Sequence, residues 1–152
     1  MTRTSLQCRE CKKEYDTAFK YVCEDCFGPL DVKYDFPTIT KNTFTNREHT
    51  YWRYFELLPI EDKSNIVSIG AGMTPLIKAD NLGKKLGLNN LYIKNDSVNP
   101  TFSFKDRPAG VAISKAKELG LSAVGCASTG NLASAPAAHA AKAGLPCHVF
   151  AP

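Results

Sequence analysis

The sequence has no uninterrupted apolar run near the roughly 18 residues that a membrane-spanning helix requires, and its first residues, MTRTSLQCRECKKEYD, lack the apolar core of a secretory leader. Neither a membrane span nor secretion is expected, and the chain reads as cytoplasmic. Charge of one sign is scarce as well. The net charge is only +4 and lysines alternate with acids, so the electrostatic footprint of a nucleic-acid binder is missing. No Gly-x-Gly-x-x-Gly or Walker-type loop occurs, which argues against a dinucleotide or ATP site within these residues. What is present is the material of a packed core: 43% hydrophobic against 22% charged residues places the chain among globular sequences.

Three textures succeed one another. Residues 1–34 hold four cysteines, many charges and no helical period, as a small stapled unit would. Residues 35–65 form a connector, extended and threonine-rich at first, with a short helix over Trp52 to Leu57 that stops before Pro59 and packs its aromatics on the next domain. From residue 66 strand and helix patterns alternate. Strands are predicted over 65–70, 90–96, 122–129 and 145–152, and helices over 77–88, 105–120 and 131–144. Gly120 and Gly144 stand just past their helices, where a left-handed residue is wanted. The alternation predicts an α/β fold with a three-layer parallel-sheet domain over 66–152, preceded by the cysteine-rich knuckle. A strand over 145–152 with no helix after it would leave a sheet face bare, so the expectation is the front part of a longer protein.

Cys8-x2-Cys11 and Cys23-x2-Cys26 are two knuckles separated by eleven residues. That spacing lets two tight turns bring four thiolates around one tetrahedral ion, and structural zinc is the metal best suited. Iron in the same cage, or cysteines that are free or oxidised in pairs, are the other readings. Cys126 and Cys147 fall among apolar residues in predicted strands and read as buried small hydrophobes.

The stretch NPTFSFKDRPAG places Lys105 where a loop becomes a helix. Phe102 and Phe104 would give it an apolar surround, while Arg107 and the positive helix end would disfavour its ammonium form. Such an amine is a nucleophile toward an aldehyde; the plain alternative is an ion pair with Asp106. Pro108 suits the first helical turn. Downstream, Ser128-Thr129-Gly130-Asn131 leads from a strand into an alanine-rich helix, a turn that offers free N–H groups to a carboxylate or phosphate. Simple capping of the helix by Ser128, Thr129 or Asn131 would explain it equally. His139, within that helix, reads as a surface or packing residue.

In order and spacing, Thr74-Pro75-Leu76, Asn99-Pro100-Thr101, Ser103-Phe104-Lys105-Asp106-Arg107 and Ser128-Thr129-Gly130-Asn131 resemble the pyridoxal-phosphate enzymes of fold type II, the tryptophan synthase β family, and among them the threonine synthases. The lead-in YWRYFELLPI is similar to that of members carrying a cysteine-rich N-terminal knuckle. The resemblance implies that Lys105 forms the imine with pyridoxal phosphate, that Phe104 and Asn131 contact the cofactor, and that Ser128, Thr129, Gly130 and Asn131 hold the substrate carboxylate. It implies a carbon–oxygen lyase acting on O-phosphohomoserine, yielding threonine and phosphate, and a homodimer at full length. Cysteate synthase or threonine dehydratase chemistry would use the same two motifs, and a non-enzymatic zinc-knuckle binding module is the reading from another class. Leu132 departs from the pattern, since many relatives have threonine there. The glycine-rich cup for the cofactor phosphate would lie beyond residue 152, so these residues alone would leave the site incomplete and inactive.

Overall fold

The computed structural model describes residues 3–151. Met1 and Thr2 of the predicted knuckle and Pro152 of the predicted last strand lie outside the described residues. The cysteine-rich unit is a three-stranded antiparallel sheet of β1 (Arg3–Cys8), β2 (Glu14–Asp16) and β3 (Leu30–Asp35), in the order β2-β1-β3. Leu6 stands opposite both Tyr15 and Val32, so one face carries an apolar stripe. That stripe is thin: among described residues of this unit only Cys8, Cys23 and Gly28 are buried. A sheet with so little core needs a further tie, which the cysteines are placed to supply.

The connector holds α1 (Asn42–Thr45) and a 3₁₀ segment over Tyr51–Leu57, where a short helix over Trp52 to Leu57 is predicted, ending at an extended Leu58 before Pro59. Tyr51, Trp52 and Phe55 form a buried cluster with Ile60 and Ala71, and Val111 packs on it from the next helix. Burying such rings is worth about 2–3 kcal/mol each, and here it fastens the connector to the α/β region.

The α/β region differs from its expectation in two places. Residues 65–70 are not a strand: Lys63–Asn65 is a 3₁₀ turn, and the Val67 N–H donates to Ser114 Oγ (2.8 Å) instead of joining a ladder. The helix predicted over 77–88 begins only at Asp80, because Ile77 and Lys78 belong to β4 (Leu76–Lys78). After α2 (Asp80–Leu86) the chain returns in β5 (Tyr92–Lys94), antiparallel to β4 rather than parallel. The parallel pairing expected throughout is realised, among described residues, in β6 (Val124–Ala127) and β7 (Cys147–Phe150) alone, joined by α4 (Asn131–Ala143) as a crossover. The observed fold is therefore a mixed α/β arrangement with small sheets. No helix among the described residues is long and apolar enough to cross a membrane.

Helix α3 (Asp106–Glu118) packs on α4, and Val67, Ile113 and Ala140 make a second core cluster between them and the strands. Gly120 and Gly144 adopt φ of 68° and 71° and close the two helices as predicted. Pro136 inside α4 cannot donate to the Leu132 carbonyl, and the Cys126 thiol donates to that oxygen instead (3.3 Å). Cys126 and Cys147 are thus half-buried, not fully buried as expected, and Cys126 faces the start of α4 for a reason.

Gly110 marks the tightest approach in this part of the fold. A Cβ built there would collide with Tyr51 Oη and lie 2.9 Å from His139 Cε1. Gly110→Ala is expected to cost about 1–3 kcal/mol of unfolding free energy through overpacking, read as a lower denaturation midpoint. Gly130→Ala, where an added Cβ meets open space, is the control and should change far less.

Candidate active site

The loop into α3 is built around Asp106, which is fully buried. Its Oδ2 accepts the Thr101 N–H (2.8 Å) and its Oδ1 accepts the Thr101 hydroxyl (3.0 Å), so the first helical residue reaches back and fixes the turn before it. Phe102 takes the left-handed φ of 59° that this turn demands, and its N–H donates to the Asn99 carbonyl (2.7 Å). Asn99, also buried, accepts from Gly72 N–H (3.0 Å) and donates to the Asp96 carbonyl (2.9 Å). Ser103 Oγ accepts the Lys105 N–H (3.2 Å). Lys105 is consequently carried on backbone tied at both ends.

Arg107 does not face Lys105 as a free cation. Its guanidinium grips Asp96 through Nε (3.1 Å) and Nη2 (2.9 Å) and donates to the Gly72 carbonyl (2.7 Å), while Thr74 Oγ1 donates to the same carboxylate (2.6 Å). The Arg107 and Thr74 bonds hold the Asp96 carboxyl at about 2, so it is anionic throughout the working range. This fork joins the 72–74 segment, the 3₁₀ turn Asp96–Val98 after β5 and the start of α3.

Lys105 itself is half-buried, and its Nζ lies 4.6 Å from the centre of the Phe104 ring. The apolar surround expected from the two phenylalanines is not formed, because Phe102 is 80% exposed and Phe104 56%. An ion pair with Asp106 is not formed either, since that carboxylate is spent on Thr101 beneath the loop. Among the described residues no carboxylate pairs with the Lys105 amine. The other motif comes after β6: the Ser128 N–H is bound to the Phe150 carbonyl (3.0 Å), and Ser128 Oγ accepts the Gly130 N–H (3.2 Å). Gly130 is the residue before α4, and no side chain caps the helix, so capping does not account for the motif. Thr129, Gly130 and Asn131 are exposed, and the first N–H groups of α4 have no carbonyl within the helix to bind.

At the other end of the chain, Sγ of Cys8, Cys11, Cys23 and Cys26 all lie within 4.8 Å of one another. The two knuckles repeat one geometry. Lys12 and Phe27 have φ of 64° and 57° and donate back to the carbonyls of Cys8 (3.1 Å) and Cys23 (3.0 Å), while the N–H groups of Cys8 and Cys23 donate to Lys13 and Gly28. Gly28 lets the backbone pass close to the cage, because an added Cβ would come 2.9 Å from Glu10 Cγ and 3.0 Å from Cys8 Sγ. Tyr15 accepts the Glu24 N–H (3.0 Å), and its hydroxyl, 3.1 Å from Cys23 Sγ, draws that thiol down to about 6.

A family model described as pyridoxal-phosphate dependent enzyme matches residues 67–152, more than half of the chain. The chain belongs to this family. Among curated relatives, threonine synthase of Methanocaldococcus jannaschii is 45% identical over 151 residues, 96% of the chain and 37% of that protein. Threonine synthase of Methanosarcina acetivorans is 44% identical over 150 residues, 97% of the chain and 36% of that protein. That of Halalkalibacterium halodurans is 46% identical over 99 residues, 65% of the chain and 28% of that protein. The chain spans a little over a third of the length of the first two.

Within this family member the structure brings together residues that sequence reasoning left apart. His139 is fully buried, its Nε2 3.5 Å from Asp106 Oδ1, so it is the packing residue of the two alternatives and it has an acidic neighbour. Its partner is 33 positions away and becomes visible only when α3 packs on α4; the one local signal was a glycine, Gly110, inside a helical pattern. Burial holds the His139 imidazole below its ordinary value, with Asp106 opposing. A group depressed on folding contributes stability above its unfolded value, about 6.5 for histidine, and loses it as pH falls below that. Thermal stability should therefore drop as pH is lowered from about 7 toward 5, and His139→Gln should flatten that slope. The loss linked to Asp96 belongs to a separate, far more acidic window, below about 4.

Proposed function

We propose that the chain carries the lysine-bearing part of a threonine synthase-type site, with Lys105 as the residue that engages pyridoxal phosphate. The observation that carries this reading is an amine without a carboxylate partner among the described residues, on backbone tied down at Thr101 and Ser103, next to a helix N-terminus. Both requirements of a cofactor lysine, availability and fixed position, fit these residues. When bound, pyridoxal phosphate supplies an electron sink for charge developing at the substrate's carbons. Lys105 Nζ would take one proton from the substrate's Cα and one from Cβ as the Cγ–O bond to phosphate breaks, and would return protons to Cγ and Cα. Water gives its hydroxyl to Cβ and its remaining proton to the departing phosphate, so that O-phosphohomoserine and water become threonine and phosphate. Phe104 flanks the amine, Asn131 offers its amide to the cofactor, and Ser128, Thr129 and Gly130 receive the substrate carboxylate. The names of the relatives and the exposed, uncapped start of α4 support these assignments. The same reading makes 66–152 the first part of a three-layer catalytic domain that dimerises at full length.

The cysteine cage holds one structural zinc ion. Tetrahedral thiolates at about 2.3 Å from zinc stand about 3.8 Å apart, which agrees with 3.5 Å for Cys8–Cys26 and for Cys11–Cys23. Four sulfurs close the coordination sphere, so the ion has a folding role and no open position for chemistry. Six cysteines with no disulfide fit a reducing, cytoplasmic setting.

Added pyridoxal phosphate should give the absorbance of a cofactor imine that Lys105→Ala removes, measured in the full-length protein; a band kept in the variant would contradict the assignment. Strong chelation should release about one zinc per chain and unfold β1 to β3, seen as lost amide protection there, while α3 and α4 stay protected. A knuckle fully ordered without metal would contradict the zinc reading.

A further inference from the structure

Beneath the loop that carries Lys105, three polar groups meet in the core with their bonding incomplete. Tyr51 Oη, His139 Nδ1 and His139 Nε2 are buried without a well-formed hydrogen bond among the described residues, and the backbone carbonyls of Val67 and Asp106 lie beside the imidazole as competing acceptors for its N–H. Orphaned buried polar atoms cost stability, so a cluster of three in one place calls for a role. Tyr51 Oη and His139 Nδ1 converge over Gly110, whose missing side chain leaves the gap through which they can approach. On the other side of the ring, Nε2 stands 3.5 Å from Asp106 Oδ1, the oxygen that also receives the Thr101 hydroxyl. A phenol donates through O–H, a neutral imidazole donates through one nitrogen and accepts through the other, and a carboxylate accepts. The arrangement that uses all three groups runs from Tyr51 O–H to His139 Nδ1, and from His139 Nε2–H to Asp106.

We propose that His139 is the positioning residue of the Lys105 loop: with its tautomer set by Tyr51, it orients the Asp106 carboxylate that pins Thr101. This rests on the reading of Lys105 as the cofactor lysine, and it adds to that reading a support that touches neither cofactor nor substrate. The logic is that of an orienting group behind a working one. Asp106 has one oxygen on the Thr101 N–H and one on its hydroxyl; a donor from behind holds the carboxylate plane so that both bonds form at once. Loss of that donor lets the carboxylate turn. The turn at 99–105 then loosens on both sides of Phe102, whose left-handed φ already makes it the strained point.

The test uses ¹⁵N-histidine spectra and amide hydrogen exchange on the full chain, with pyridoxal phosphate capture by Lys105 as a third readout. His139 should show Nε2 protonated and Nδ1 bare, and Tyr51→Phe should shift Nδ1 while leaving the exposed His49 and His148 unmoved. His139→Leu should speed exchange of the Thr101 amide about fivefold, the effect of losing one hydrogen bond, with Ile113 in the middle of α3 unchanged. His139→Gln, whose amide N–H replaces Nε2–H, should restore it. Cofactor affinity should track Thr101 protection through the series. Should His139→Leu fail to fold, Tyr51→Phe carries the comparison, with a smaller rise in Thr101 exchange expected. An Nδ1–H tautomer, or Thr101 exchange unmoved by these changes, overturns the proposal; so does cofactor capture that ignores Thr101. A wild-type chain that protects Thr101 yet captures no cofactor at Lys105 overturns instead the reading of Lys105, and the positioning role falls with it.

Discussion

The structure around Lys105 depends on one buried carboxylate. Asp106 opens α3, yet its side chain points back to hold the Thr101 amide and hydroxyl, so the helix and the loop before it are one rigid piece. An anionic group at a helix N-terminus is favoured by the helix dipole, and here that preference is turned into loop geometry. The Arg107–Asp96 fork adds a second tie a residue later, reaching the Gly72 carbonyl and the turn after β5. Between these two anchors the chain has little freedom. Lys105 is left as the group in this stretch whose polar end is not consumed by the scaffold, which is the condition a reactive amine needs.

The two halves of the chain solve stability differently. The α/β region buries aromatic rings from the connector against α3 and packs α3 on α4, in the ordinary way of a hydrophobic core. Among its described residues the cysteine-rich sheet buries only Cys8, Cys23 and Gly28. Its two knuckles reuse one backbone geometry, with left-handed residues at Lys12 and Phe27, so the gathering of the four thiols is set by the backbone as much as by the side chains. Contact between the halves is made by the Thr4 hydroxyl on Glu61 (2.8 Å), and that junction is steadied by Glu118, at the end of α3, which accepts the N–H groups of Glu61 and Asp62.

Much of this was legible in the residues, and the failures have physical causes. Helices α3 and α4 were readable because their apolar periods end at Gly120 and Gly144, where the backbone does turn left-handed. The paired cysteines were readable because spacing alone limits where thiols can go. The strand predicted at 65–70 failed because Ser114, far along the chain, takes the Val67 N–H, and no local pattern encodes that. Phe102 and Phe104 misled for a related reason: their apolar character predicts burial, but the turn that Asp106 imposes points both rings outward. Asp106 and His139 each looked ordinary, since their significance lies in a helix-to-helix contact. Local chemistry singles out Lys105 as a candidate, and only the fold shows what holds the loop that carries it.

In the proposed reading this scaffold singles out Lys105 from the other lysines of the chain. Trapping the cofactor with borohydride in the full-length protein and mapping the modified peptide tests it most directly. One pyridoxyl group, on Lys105, is expected. Label spread over exposed lysines such as Lys84, Lys85 and Lys117, with none preferred, would contradict it.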